Sequence, residues 1–174
     1  MGDATRRLFF ALWPEDPVRT LCDWYASGLL GKRIKRVPAA NFHITLGFAG
    51  SVSNAVSRCL ELQADAIKVA PFQLTIDQLG YWQRQRVLWM GPRHTPDELW
   101  ALSSAVSDAL VQCGVQPERP AWQAHMTLAR KLSQPPPAES PAIEWSVSHF
   151  CLLQSVNTES GVSYRVLRNW TLEV

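Results

Sequence analysis

The chain writes one short phrase twice, and both copies fit a β-strand. The copies are Asn41-Phe42-His43-Ile44-Thr45-Leu46 and Gln123-Ala124-His125-Met126-Thr127-Leu128. Alternate side chains on a strand share a face. His43 and Thr45 therefore point one way while Ile44 and Leu46 point the other, and His125 and Thr127 stand against Met126 and Leu128 in the same manner. With 4 His, 8 Thr and 20 Leu in 174 residues, two histidines carrying Thr at +2 and Leu at +3 by accident is an event of roughly 1 in 6,000. The two phrases are expected on neighbouring central strands, with both rings turned into one cleft.

The surrounding pattern predicts alternating short strands and helices. Arg7–Leu12 reads as a strand. Asp16 is placed to cap a helix with Pro17 in its first turn and Val18, Leu21, Cys22 and Tyr25 as its apolar face. Phe42–Phe48 carries the first phrase. Ser53 caps a helix whose stripe is Val56, Leu60, Gln63 and Ile67, with Gln63 as the flaw. Phe72, Leu74 and Ile76 alternate along a strand that Gly80 is expected to end, and Val87–Met90 follows. Thr95 and Glu98 have capping-box spacing around Pro96, and Leu99, Leu102, Val106 and Leu110 repeat at helical intervals up to Gly114. Pro120–Ala129 carries the second phrase. Gln134–Pro141, with four prolines, is a loop. Ser146–Leu153 and Val162–Leu172 complete the strands. The order predicts an α+β fold.

Composition excludes several classes. The chain is 47% hydrophobic and 18% charged, enough apolar material for a sizeable core and against disorder. No apolar run is long enough to span a membrane. The opening residues make a poor signal peptide and lack the Ser or Thr of a myristoylation signal, so the expectation is a soluble, cytoplasmic protein with no membrane partner. Cys22, Cys59, Cys113 and Cys151 are far apart, form no CxxC pair, and are expected as free, simple core residues. A net charge of +2 says little, but Lys32, Arg33, Lys35 and Arg36 form a basic run before the first phrase. That run is either a solvated loop or a guide for a polyanion. Gly31-Lys32 lacks the rest of a P-loop, and no GxSxG elbow is present. His94 and His149 lack a Thr partner and read as structural.

Two imidazoles on facing strands suit phosphodiester chemistry. An ordinary imidazole titrates near pH ~6.5, so it can act as base or acid at neutral pH. In-line displacement needs one on each side of the phosphorus, and the threonine hydroxyls can donate to the non-bridging oxygens. Two rivals share these residues. One is a metal-dependent phosphodiesterase with the histidines as ligands, although no carboxylate partner is evident. The other is a non-catalytic RNA-binding module.

Paired HxT-hydrophobic phrases resemble the 2H phosphoesterase superfamily. The likeness is to its RNA 2′,3′-cyclic phosphodiesterase branch, also called 2′–5′ RNA ligases. It runs through Arg7-Leu8-Phe9-Phe10-Ala11-Leu12, His43-Ile44-Thr45-Leu46-Gly47-Phe48, His125-Met126-Thr127-Leu128-Ala129-Arg130 and the ending with Tyr164, Leu167 and Trp170. The resemblance implies a bilobal, pseudo-two-fold domain over residues 1–174, with antiparallel sheets lining a central cleft and helices outside. It implies hydrolysis of RNA terminal 2′,3′-cyclic phosphate to a 2′-phosphate without metal or cofactor, and reversible 2′–5′ ligation. On that basis His43 is the general acid and His125 the general base, with Thr45, Thr127 and Arg130 holding phosphate. Strict alternation turns Arg130 away from His125, so it needs a bulge or strand end to reach the site. Phe9, Phe48 and Trp122 are candidates for base stacking, against core packing. Expected partners are RNA with a cyclic-phosphate end, tRNA halves or small nucleotides, bound by a monomer.

Overall fold

Residues 5–117 and 122–174 are described by the structure, a computed structural model. Met1–Ala4, on which part of the targeting reading rests, and Pro120 at the start of the expected second histidine strand lie outside them.

The apolar alternation of the first strand, β1 (Arg6–Leu12), buries Leu8, Phe10 and Leu12 on one face and Phe9 and Ala11 on the other. A strand buried on both faces belongs inside a sheet. It pairs antiparallel with β2 (Ile44–Val52) on one side and β8 (His149–Thr158) on the other, and β9 (Gly161–Thr171) completes the order β2-β1-β8-β9. A second sheet joins β4 (Gln78–Trp82), β5 (Val87–Gly91) and β6 (Met126–Arg130) in that order. β3 (Phe72–Ile76) and β7 (Ile143–Val147) form a separate antiparallel pair. The helices are α1 (Asp16–Leu30), α2 (Asn54–Asp65) and α3 (Asp97–Gln112), with a 3-10 turn at Ala39–Asn41. This is the α+β fold that the patterning predicts, with the antiparallel sheets that the resemblance implies.

One unit occurs twice. β1-α1-β2 and β5-α3-β6 are each a strand, a helix and a strand that returns antiparallel to the first. Each unit ends in a histidine phrase. Both histidine strands are edges of their sheets, not central strands, and they meet across the gap between the sheets. α3 packs on β2, the histidine strand of the other unit. Gly47 permits that approach, because a Cβ there would stand 2.8 Å from a Leu110 methyl and 3.0 Å from a Val106 methyl.

Several expectations need correction. Gly80 does not end a strand. The chain breaks at Asp77, changes sheet, and runs on through Gly80 as β4. A Cβ at Gly80 would lie 2.1 Å from the Trp89 ring, so glycine is there to admit the indole. Ser146–Leu153 is likewise two strands, β7 and β8, divided at Ser148 between different sheets. The apolar alternation lapses at Gln78 and at His149, where one strand gives way to the next.

Helix starts shift by one residue. Glu15 precedes α1 and Pro96 precedes α3, neither with a side-chain cap, whereas Ser53 does accept from the Val56 N–H. The buried stripe of α1 is Cys22, Ala26 and Leu30, and Leu21 is 49% exposed. The buried stripe of α2 is Ser57, Leu60 and Ala64. Leu99, Leu102, Val106 and Leu110 of α3 are all buried as predicted.

The cysteines divide into two kinds. Cys22 and Cys151 are buried thiols. Cys59 and Cys113 form a disulfide between α2 and the end of α3, with Cα atoms 5.8 Å apart. The reading of all four as free core residues is therefore corrected. The side-by-side packing of α2 and α3 brings together two residues distant in the chain.

Candidate active site

The repeated phrase encodes a repeated backbone irregularity. In β2, Thr45 pairs with Ala11 and Gly47 with Phe10, which leaves Leu46 as an extra residue. In β6, Thr127 pairs with Trp89 and Ala129 with Leu88, which leaves Leu128 extra. The leucine of each phrase is thus a β-bulge, and a bulge resets the alternation of faces. After it, Phe48 returns to the face of Thr45, and Arg130 returns to the face of Thr127. The buried pair Leu128-Ala129 followed by exposed Arg130 shows the reset directly. This is the bulge that Arg130 needs to reach the histidine side. Phe48 and Arg130 occupy equivalent positions, so one half of the site ends in an aromatic ring and the other in a cation.

Both histidines sit one residue before their strands and are held identically. His43 Nδ1 lies 2.7 Å from the Asn41 carbonyl oxygen, and His125 Nδ1 lies 2.8 Å from that of Gln123. A carbonyl only accepts, so each Nδ1 carries the proton and donates it. The neutral ring therefore keeps its lone pair on Nε2. The Thr45 hydroxyl is 3.1 Å from His43 Nε2, placed to donate to it.

Three further contacts hold the His43 side. Phe9 and Tyr164 lie 5.1 and 5.0 Å from the His43 ring centre, and Trp13 stacks at 6.3 Å. Arg19 donates to the carbonyls of Pro14, Ala39 and Phe42 and stands over the Trp13 ring at 4.5 Å. It thereby fixes both the turn that supplies the Asn41 carbonyl and the ring stacked on His43. On the other side, the Trp82 ring stands edge-to-face with His125 at 4.5 Å. Trp122 donates its indole N–H to the Thr45 carbonyl at 3.0 Å and so covers the open edge of β2.

Burial in this bed pushes His43 from 6.5 down to about 4. The Asn41 carbonyl opposes the shift, and the charges of His125, Arg130 and Arg19 add to it. His125 is lowered as well, first by burial, with its own carbonyl contact opposing and Arg130 adding. Both rings in the free protein are therefore neutral near pH 7. Arg130 is among the charges that lower both of them. Burial holds the Cys151 thiol, in the aromatic bed beneath His43, up at about 12, so it is inert.

Two cavities flank the pair. One, of about 440 Å³, is lined by Thr45, Phe48, Trp82, Trp122 and His125 among others. The second, of about 890 Å³, is bordered by Arg130, Tyr164, Arg33, Lys35 and Arg36 of the basic run, and Pro135–Pro137. Of the three stacking candidates, Phe48 is 59% exposed and opens on the first cavity, as does Trp122. Phe9 is 2% exposed and packs against His43, Phe48 and Tyr164, so it offers no open face to a base. Thr127 is half-buried opposite Trp89. His149 faces Glu15 at 3.9 Å. Sequence reasoning passed over Trp13, Arg19 and Trp82. Trp13 directly follows the first strand and carries the one local signal among them, an aromatic at a strand's rim. Among the described residues, no cluster of three or more His, Cys, Asp or Glu side chains is arranged to hold a metal ion.

A doubled strand–helix–strand unit with one bulged His-x-Thr-Leu phrase per copy defines the 2H phosphoesterase class. The model of the 2'-5' RNA ligase superfamily matches residues 14–159, and the chain belongs to that superfamily. It is 33% identical over 171 residues to the RNA 2',3'-cyclic phosphodiesterase of Escherichia coli strain K12, covering 96% of this chain and 97% of that one. It is 32% identical over 152 residues to the Aeropyrum pernix protein of the same name, covering 79% and 85%. The crystal structure of E. coli LigT complexed with ATP superposes with a TM-score of 0.87 at 29% identity, covering 98% of this chain and all of that one.

Proposed function

We propose that this protein hydrolyses the 2′,3′-cyclic phosphate at RNA ends to a 2′-phosphate, without metal, and can also open it with a 5′-hydroxyl in reversible 2′–5′ ligation. The observation that carries the reading is the matched pair of imidazoles. Each donates its Nδ1 proton to the carbonyl two residues earlier and so presents Nε2 for proton transfer. His125 accepts a proton from water as the water oxygen bonds to phosphorus. The P–O3′ bond breaks, and His43 gives its proton to the departing O3′. The product carries a 2′-phosphate and a free 3′-hydroxyl. In ligation a 5′-hydroxyl takes the place of water: His125 accepts its proton as the 5′ oxygen bonds to phosphorus, O3′ leaves with the proton from His43, and a 2′–5′ linkage forms. The reverse step cleaves that linkage back to the cyclic phosphate. Thr45, Thr127 and Arg130 hold the non-bridging oxygens, where negative charge must be stabilised. His43 is neutral in the free protein, so it takes up its proton from solvent as the substrate anion binds. The anion's charge offsets the penalty of burial and the repulsion from Arg130 and Arg19. Residues 1–174 act as one domain of two lobes, as a cytoplasmic monomer, on RNA ends such as tRNA halves or on small cyclic nucleotides.

The test is a short RNA ending in a 2′,3′-cyclic phosphate, incubated in excess chelator. The product is then treated with a phosphatase that removes only 3′-phosphates. Turnover in chelator with a resistant product is expected. Loss of turnover in chelator supports the metal-dependent reading instead. Complete phosphate removal would overturn the regiochemistry and the acid–base order built on it.

A further inference from the structure

The basic run Lys32-Arg33-Ile34-Lys35-Arg36 is not a free loop. Arg36 bridges to Ala129 of β6, and the Val37 N–H donates to the Leu128 carbonyl at 2.8 Å. The run is stitched along the open edge of the second histidine strand. Its cations consequently come beside Arg130 and Lys131 at the end of that strand. Arg33, Lys35, Arg36, Arg130 and Lys131 all border the 890 Å³ groove. Arg36 is paired with Asp23. Arg33, Lys35 and Lys131 are exposed and have no carboxylate within ion-pair distance among the described residues. Exposed cations gathered around a groove without counter-ions favour a polyanion there.

The groove is continuous with the catalytic pair. Tyr164 lines it and also stands 5.0 Å from the His43 ring. Its far wall, Pro135–Pro137, has no backbone N–H to donate and a stiff backbone. Tyr25 ties that wall down through a 2.7 Å bond to the Glu139 carbonyl. The two flanking cavities differ in character. The one beyond Phe48 is walled by aromatic rings and suits a base. The one beyond Arg130 is walled by cations and suits phosphates.

We infer that this groove binds the sugar–phosphate backbone of the strand that carries the reacting end, gripping phosphates 5′ to the terminal ribose through Arg33, Lys35 and Lys131. The inference rests on the RNA reading above and specifies its substrate: a single-stranded oligonucleotide is preferred to a cyclic mononucleotide. The terminal ribose sits at the histidines, its base lies toward Phe48, and its 5′ phosphates leave along the cations.

The experiment has a binding arm and a turnover arm. Binding of a labelled RNA hexamer with a terminal 2′-phosphate is followed by fluorescence anisotropy against salt, for the wild type and for an Arg33→Gln/Lys35→Gln variant. Neither substituted residue belongs to the catalytic machinery. The variant should bind the hexamer at least tenfold more weakly, with its log–log salt slope reduced by about 1.4, at roughly 0.7 per single-strand phosphate contact. In turnover, the wild type should show a lower KM for a hexamer with a cyclic end than for a 2′,3′-cyclic mononucleotide. The variant should lose that advantage and keep its mononucleotide kinetics. Equal hexamer affinity and salt slope in the two proteins overturns the groove assignment, even if both turn over the mononucleotide. Competition by a 5′-hydroxyl oligonucleotide, with no length effect on the cyclic-phosphate strand, also overturns it by assigning the groove to the incoming strand. Normal hexamer binding with no turnover of either substrate leaves the groove standing and sinks the catalytic reading.

Discussion

The protonation of His43 depends on what fills the cleft. In the free protein its aromatic bed and three neighbouring cationic or ionisable side chains disfavour the imidazolium, and its pKa falls to about 4. A bound phosphate anion reverses the electrostatic part of that effect. The pH dependence of kcat/KM reports the free enzyme and that of kcat the complex. The optimum of kcat/KM should therefore lie below pH 6.5 and that of kcat at higher pH. Imidazole NMR titrations should show both rings below 6.5 in the free protein and rising when inorganic phosphate is added. Coincident profiles with an optimum above neutrality would reject this coupling. His43→Ala and His125→Ala should each remove most of the activity without unfolding the chain, and the double variant should be little worse than either, as for residues acting as a unit. Arg130→Ala should lower kcat/KM by about 1.5–3 kcal/mol if the guanidinium makes a charge-assisted bond to phosphate. Unchanged kinetics would place it outside the site.

At the scale of elements, the site depends on the turn that supplies the Asn41 carbonyl to His43. Arg19 on α1 gathers three carbonyls from Pro14, Ala39 and Phe42. Arg19→Met keeps much of the side chain's length and its apolar stem but frees the turn before His43. It should lower kcat more than it raises KM and shift the pH profile, because the Asn41 carbonyl no longer holds the ring. Arg19→Lys should recover little, since one ammonium cannot reproduce the planar fork. A variant with wild-type kcat and pH profile would show that Arg19 has a packing role only. This dependence was not legible in the sequence. Arg19 lies in an ordinary helical stretch, and nothing local links it to a turn 20 residues away. The phrases were legible because their strand periodicity and residue types coincide within six residues.

For the whole molecule, histidine burial and the disulfide set how stability responds to conditions. The unfolded His43 takes a proton near pH 6.5 and the folded one only near 4. The unfolded state therefore binds more protons between these values, and stability falls as pH drops through that window. At 1.36 kcal/mol per pH unit the loss is on the order of 3 kcal/mol. Denaturant unfolding at pH 7.5 and 4.5 should show it, and His43→Gln should remove most of it. Equal pH sensitivity in wild type and variant would contradict the buried neutral ring. The Cys59–Cys113 bridge closes a long loop between α2 and α3. Its removal by Cys59→Ser/Cys113→Ser should cost about 2–4 kcal/mol of unfolding free energy. No change would mean that the thiols remain reduced in the protein as prepared.

Local pattern determined what depends on neighbours in the chain. Two histidine phrases, the apolar stripe of α3, the β3 alternation and the α+β character all follow from periods of two or about three and a half residues. Tertiary structure decided what depends on residues distant in sequence. It made the histidine strands edges that face each other, split β3 from β4 and β7 from β8 between sheets, and paired two cysteines read as free. It also turned Arg130 onto the histidine side and laid the basic run along β6. The physical reason is common to these cases. A sheet switch, a bulge or a disulfide is settled by which partner strand or helix supplies the opposing atoms. Phe48 and Arg130, five residues after their histidines, reach the site only because a bulge in each strand turns them onto the histidine face.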